Sequence, residues 1–148
     1  MLTDDGKHLY VSWDEYHLLI ERLALKIHAS GWEFDQILCL ARGGLRPGDV
    51  LSRVFAKTVT MPKGELAGRV LLVDDLADSG VTLRAVVEML RAKDDITELR
   101  SAVIWTKSVS VFQPDYQVEF LETSPWIHQP FEDYDAMRPD DLKRKLSY

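Results

Sequence analysis

The sequence predicts an α/β fold: a mostly parallel, twisted sheet flanked by helices. Two observations carry that expectation. Apolar runs at "FDQILCLA" (34–41) and "RVLLVDD" (69–75) lack the polar alternation of a half-exposed strand and read as strands covered on both faces. Each is followed by a glycine-bearing turn and then a helical periodicity, the order of βαβ units. In such sheets ligands sit beyond the carboxyl ends of the strands, so the segments found there are the ones to search for chemistry.

From the N-terminus, "LYVS" (9–12) reads as a short strand or extended arm. Ser12, with Glu15 three residues on, forms a capping-box pattern. Tyr16, Leu19, Ile20, Leu23, Ala24 and Ile27 recur behind it at helical spacing, and Gly31 can end that helix. After the first core strand, "RGGLRPG" turns and "DVLSRVFAK" opens a helix with Asp49 as a first-turn acid. "TVT" (58–60) fits one short strand and "MPKGELAG" (61–68) a hairpin-like turn. The second core strand runs through "LADSGV" into "TLRAVVEMLRAK", a helix with Leu83, Val86, Val87 and Leu90 on its apolar face. A third strand covers 99–107 and a fourth 116–122. A short helix over 139–146 closes a tail rich in proline, aromatic and acidic residues.

The 148 residues are 46% hydrophobic and 28% charged, enough for one globular domain with a core. A net charge of −6 argues against nucleic acid as a partner, yet a few focused donors can still bind a small anion. The lone Cys39 rules out an internal disulfide and reads as a buried thiol. No apolar run approaches the ~20 residues of a membrane span. The acidic start "MLTDDGKHLY" is unlike a signal peptide. A cytoplasmic protein without a membrane partner is expected.

Three unusual segments fall at strand ends. "DSGVT" (78–82) opens a helix with small and hydroxyl residues. Its amides and the helix dipole suit a phosphate monoester, although Asp78 or Ser79 as a plain N-cap explains it equally. Asp74 and Asp75 are either an exposed acidic turn or a clamp for vicinal hydroxyls or hydrated Mg²⁺. "ARGG" (41–44) lets backbone approach an anion while Arg42 forks onto it. Lys107, at the third strand end, is a surface lysine or a donor to a carbonyl oxygen. Trp126, after a proline, is a core aromatic or a platform for a flat heterocycle.

"VLLVDDLADSGVTL" closely resembles the phosphoribosyl-pyrophosphate (PRPP) signature of type I phosphoribosyltransferases. "ARGGLRPGDVLSR" is similar to the pyrophosphate loop of the bacterial purine branch, the xanthine–guanine and hypoxanthine phosphoribosyltransferases. "SPWIHQPFE" is similar to that branch's C-terminal segment, and the resemblance runs from Trp13 to about Glu132. It implies the type I phosphoribosyltransferase fold with a small hood over about 123–148. The implied reaction moves phosphoribose from PRPP to N9 of a 6-oxopurine (hypoxanthine, guanine or xanthine), with Mg²⁺, releasing pyrophosphate, in purine salvage.

Carried over, the resemblance puts Asp74 and Asp75 on the ribose hydroxyls and, directly or through water, on Mg²⁺. Asp78, Ser79, Gly80, Val81 and Thr82 become the 5′-phosphate loop. Asp78 also lies near purine N7 as the general-base candidate. Arg42 and Gly43 meet pyrophosphate, in a loop that in relatives often holds a strained or cis non-proline peptide. Lys107 donates to the 6-oxo group, Trp126 stacks on the ring, and the Ile127 carbonyl reads the 2-position. A homodimer or homotetramer is implied as well.

Two departures stand out. Relatives carry a further core strand and a long mobile loop before the signature strand, where this chain has only "TVTMPKGELAG" (58–68). Either the protein lacks that lid or the sequence joins two pieces near Lys57–Thr58. His128 replaces a common acid and reads as a polar loop residue or a pyrophosphate contact, whereas His8, His17 and His28 lack metal-like spacing. A non-catalytic PRPP- or nucleotide-sensing protein is the competing reading. An acidic-pair phosphohydrolase is weaker, for want of a D-x-D nucleophile.

Overall fold

The computed structural model describes residues 1–60 and 64–147. Along the chain run β1 (His8–Tyr10), α1 (Trp13–Ala29), β2 (Gln36–Cys39), α2 (Leu45–Phe55), β3 (Thr58–Thr60), β4 (Gly68–Val73), β5 (Leu76–Ala77) and α3 (Val81–Arg91). β6 (Ile96–Lys107), β7 (Tyr116–Leu121), β8 (Trp126–His128), α4 (Asp133–Ala136) and α5 (Pro139–Leu146) complete it. They fall into two compact units: Leu18–Ser124, and Met1–His17 with the chain from Pro125 onward. The boundary passes through α1.

In the larger unit every strand pair is parallel: β3 with β2, β2 with β4, and β6 with each of β4, β5 and β7. This is the sheet the sequence predicts. β7 takes one edge of β6, so β4 and β5 follow one another along the other. Asp74 and Asp75 occupy the break between them rather than the end of a strand. Asp74 N–H donates to Ala102 O (3.1 Å), and the Ile104 and Trp105 amides both donate to Asp75 O (3.0 and 3.1 Å). Two residues of β6 thus oppose one, which is the count of a bulge.

Both faces of the sheet are covered, as its apolar strands require. Leu38, Val70, Leu72 and Val103 pack with Leu83, Val87 and Leu90 of α3. Burying each such side chain contributes about 1.5–3 kcal/mol. Ile37 and Cys39 alternate with Leu38 and point the other way. There a Cβ on Gly48 of α2 would strike the Cys39 sulfur and come within 3.9 Å of Ile37 Cγ2. Burial, together with the charges of Asp49 and Asp74, pushes the Cys39 thiol up to about 11, so it is a buried, inert thiol. At the amino end of the sheet, the Asp35 carboxylate accepts from Arg69 N–H (2.7 Å) and from its guanidinium (3.1 Å), tying the start of β4 to the residue before β2.

The helix starts test the reading of caps. Ser12 and Glu15 form the capping box, with Glu15 Oε2 accepting from Ser12 N–H (2.8 Å) and Ser12 Oγ from Glu15 N–H (3.2 Å). α2 starts earlier than "DVLSRVFAK" suggested, at Leu45 with Gly44 as cap. Its first turn accommodates Pro47, whose missing N–H would have no partner there. Asp49 is therefore not a first-turn acid; it pairs with Arg53 one turn on, at 3.0 Å. β3 pairs Val59 with Ile37, so "TVT" is a strand. The turn expected over 61–68 lies partly outside the described residues.

In the smaller unit β1 and β8 pair in parallel, Leu9 opposite Ile127. This puts His128 on a strand, its Nε2 3.0 Å from Nδ1 of His8, which corrects the polar-loop reading and leaves the pyrophosphate one open. Tyr10 lies parallel to the His128 ring at 4.2 Å. Among the described residues no helix is long and apolar enough to cross a membrane.

Candidate active site

The carboxyl ends of β2, β4 and β6 each carry one of the segments singled out. After β2 the chain turns at a cis peptide between Ala41 and Arg42. Leu40 N–H donates to Val73 O (2.9 Å) and Gly44 N–H to Leu40 O (2.8 Å), holding the turn against the end of β4. A Cβ on Gly43 would meet the Asp75 carboxylate, with Oδ2 at 2.7 Å. A side chain at position 43 would have to displace that acid. The "ARGG" backbone and the acid pair are thus in direct contact.

Asp75 N–H donates to Asp74 Oδ1 at 2.9 Å. Burial, and then the neighbouring charge of Asp75, raises the Asp74 carboxyl to about 8. The pair is partly buried rather than a solvated acidic turn, which removes one of its two readings. Among the described residues no group of three or more His, Cys, Asp or Glu is arranged to hold a metal. Two adjacent acids, one desolvated, still fit Mg²⁺, which takes one or two carboxylates and fills its other positions with water and substrate oxygens.

β5 leads into the 78–82 loop. Gly80 caps α3 in the left-handed region (φ 76°), a conformation glycine adopts without a steric cost. Val81 N–H reaches Ser79 Oγ at 3.4 Å. Asp78 is not the N-cap; its Oδ2 lies 3.1 Å from Lys107 Nζ. The Lys107 side chain is 6% exposed and that of Asp78 57%, so the surface reading of Lys107 fails.

One contact escaped the sequence reading. The turn after β6 meets the 78–82 loop, Val111 N–H donating to Ser79 O at 2.8 Å. Nothing in "SVSVF" marks it beyond a serine in a turn.

The larger unit therefore gathers Arg42, Gly43, Asp74, Asp75, Asp78–Thr82 and Lys107 at its strand ends. Trp126 and Ile127 lie on β8 of the smaller unit. Trp126 is 64% exposed, not a core aromatic, while Ile127 is buried.

Residues 62–136 match the phosphoribosyl transferase domain family. The chain belongs to that family. Among phosphoribosyltransferases it is 29% identical to the xanthine-guanine phosphoribosyltransferase of Vibrio parahaemolyticus, over 86% of this chain and 90% of that protein. The purine phosphoribosyltransferase structure from Pyrococcus horikoshii superposes with a TM-score of 0.77 at 29% identity, covering 89% of this chain and 99% of that one. The Helicobacter pylori xanthine-guanine-hypoxanthine phosphoribosyltransferase shares the fold, with a TM-score of 0.75 at 22% identity and coverage of 95% and 98%.

Proposed function

We propose that this phosphoribosyltransferase moves phosphoribose from PRPP to N9 of a 6-oxopurine, with Mg²⁺, and releases pyrophosphate. The observation that carries the reading is Lys107, a buried cation at a strand end that pairs with Asp78 at the start of the proposed phosphate loop. The purine branch is supported by the relatives of that name.

Asp74 and Asp75 accept from the ribose hydroxyls and hold Mg²⁺. The 78–82 loop turns backbone N–H groups and the Ser79 and Thr82 hydroxyls toward the 5′-phosphate. Arg42 and the Gly43 backbone meet the pyrophosphate. Mg²⁺ held by Asp74 and Asp75 would supply positive charge to that leaving group. As the C1′–oxygen bond to pyrophosphate breaks, the N9–C1′ bond forms and the N7 proton passes to Asp78.

Lys107 has three N–H donors. One is held by Asp78, and another donates to the purine 6-oxygen. A 6-amino group meets the same ammonium donor to donor, which disfavours adenine. Trp126 offers a face for stacking and the Ile127 carbonyl an acceptor for the 2-position. A homo-oligomer acting in cytoplasmic purine salvage belongs to the same reading.

Calorimetric titration with Mg²⁺–PRPP tests the clamp. Wild type is expected to bind, and Asp74→Asn with Asp75→Asn to lose about a hundredfold in affinity, two charge-assisted contacts being removed. Unchanged affinity rules out the clamp. Binding with no product from any base identifies a sensor instead.

A further inference from the structure

We infer that Ser110 is a positioning residue for the phosphate loop, holding it from behind so that its Gly80 N–H points at the 5′-phosphate; this rests on the transferase reading above. Ser110 closes a tight turn on itself. Its Oγ donates to Phe112 O at 2.7 Å and accepts from Phe112 N–H at 3.2 Å. Ser110 N–H donates to Lys107 O at 3.0 Å, so the turn springs from the residue assigned to the base. Phe112 packs against the apolar cluster that α3 shares with the sheet, which fixes the far end of the turn.

This turn presses on the phosphate loop at two points. Val111 N–H donates to Ser79 O at 2.8 Å. The space beside Gly80, where a Cβ would stand, is taken by Ser110 Oγ and by Phe112 N at 2.8 Å. The Ser79–Gly80 peptide is not among the cis bonds. In a planar trans peptide the C=O and N–H point in opposite directions. Anchoring Ser79 O to Val111 therefore aims Gly80 N–H in the opposite direction, away from that contact. The side chain of Val111 is exposed; its backbone amide makes the contact. Ser110 organises the turn that presents that amide, and acts on phosphate only through it.

The test compares Ser110→Ala and Ser110→Thr with wild type in Mg²⁺–PRPP titration, steady-state kinetics and thermal melting. Ser110→Ala is expected to raise the PRPP Kd and KM about tenfold, the worth of a lost intramolecular hydrogen bond. The KM for the purine stays near wild type, and the melting temperature without PRPP falls by only the few degrees that a lost hydrogen bond costs. Ser110→Thr, which keeps the hydroxyl, recovers PRPP binding. Wild-type PRPP affinity in Ser110→Ala overturns the inference while leaving the transferase reading intact. So does a rise in purine KM as large as that in PRPP KM, which marks a merely structural role. A wild-type chain that binds no PRPP overturns the transferase reading, and the inference with it.

Discussion

The Lys107 ammonium lies 3.1 Å from Asp78 Oδ2, joining a buried strand-end cation to the acid that opens the 78–82 loop. Lys107 ends β6 opposite Leu121 of β7 with its side chain buried, while the acid reaches solvent. A ligand arriving at the strand ends thus meets a fixed donor and a carboxylate with an oxygen facing outward.

Replacing that donor is predicted to change base choice more than PRPP binding. Lys107→Gln is neutral and offers an acceptor as well as a donor, so the bias against a 6-amino group falls. We expect kcat/KM for hypoxanthine to drop about 10- to 100-fold, the range for a lost charged hydrogen bond. The hypoxanthine-to-adenine ratio narrows, and PRPP affinity is little changed. Steady-state kinetics with both bases check this.

Gly43 is predicted to tolerate no side chain. The methyl group of Gly43→Ala must displace the Asp75 carboxylate, moving one of the two acids proposed to hold the ribose. A displacement costing about 1–3 kcal/mol lowers kcat/KM about tenfold or more. Circular dichroism is expected to show the fold retained, since the contact lies at the end of the sheet.

The core side of α2 carries a third prediction. The Cys39 thiol, raised to about 11 by burial, stays protonated and unreactive toward alkylating reagents at mildly alkaline pH. Gly48→Ala pushes a methyl into the Cys39 sulfur and is expected to destabilise the chain by about 1–3 kcal/mol. Denaturant melts measure the loss, and mass spectrometry after alkylation measures the reactivity.

The amino end of the sheet gives a pH dependence. The Arg69 side chain and amide hold the Asp35 carboxyl below its ordinary value of 3.8. A depressed carboxyl contributes stability above its unfolded value and loses it as pH falls through the folded one. Asp35→Asn is therefore expected to melt below wild type at neutral pH. The gap closes as the medium is acidified below 3.8. A gap that widens toward acid contradicts the assignment.

The strand–turn–helix order and the positions of the acid pair and the 78–82 loop were legible because local pattern determines each. An apolar run, a glycine and adjacent acids are close in sequence. What escaped depends on distant partners. β5 has two residues and β8 three, too short for any periodicity, and each exists only through its parallel neighbour. Asp49 was misplaced because Gly44 and Pro47 move the start of α2 back by more than a turn. The burial of Lys107 depends on the neighbours of β6, and the Ser110 turn on a contact with Ser79 thirty-odd residues earlier. The place of the "DD" pair after a core strand was readable, whereas its desolvation, which raises Asp74 to about 8, belongs to the folded sheet.

Incubation with Mg²⁺–PRPP and each of hypoxanthine, guanine, xanthine and adenine, following nucleotide and pyrophosphate together, tests the central claim. The account predicts equal amounts of nucleotide and pyrophosphate from at least one 6-oxopurine and little from adenine. No nucleotide from any base, or adenine as the best acceptor, contradicts it.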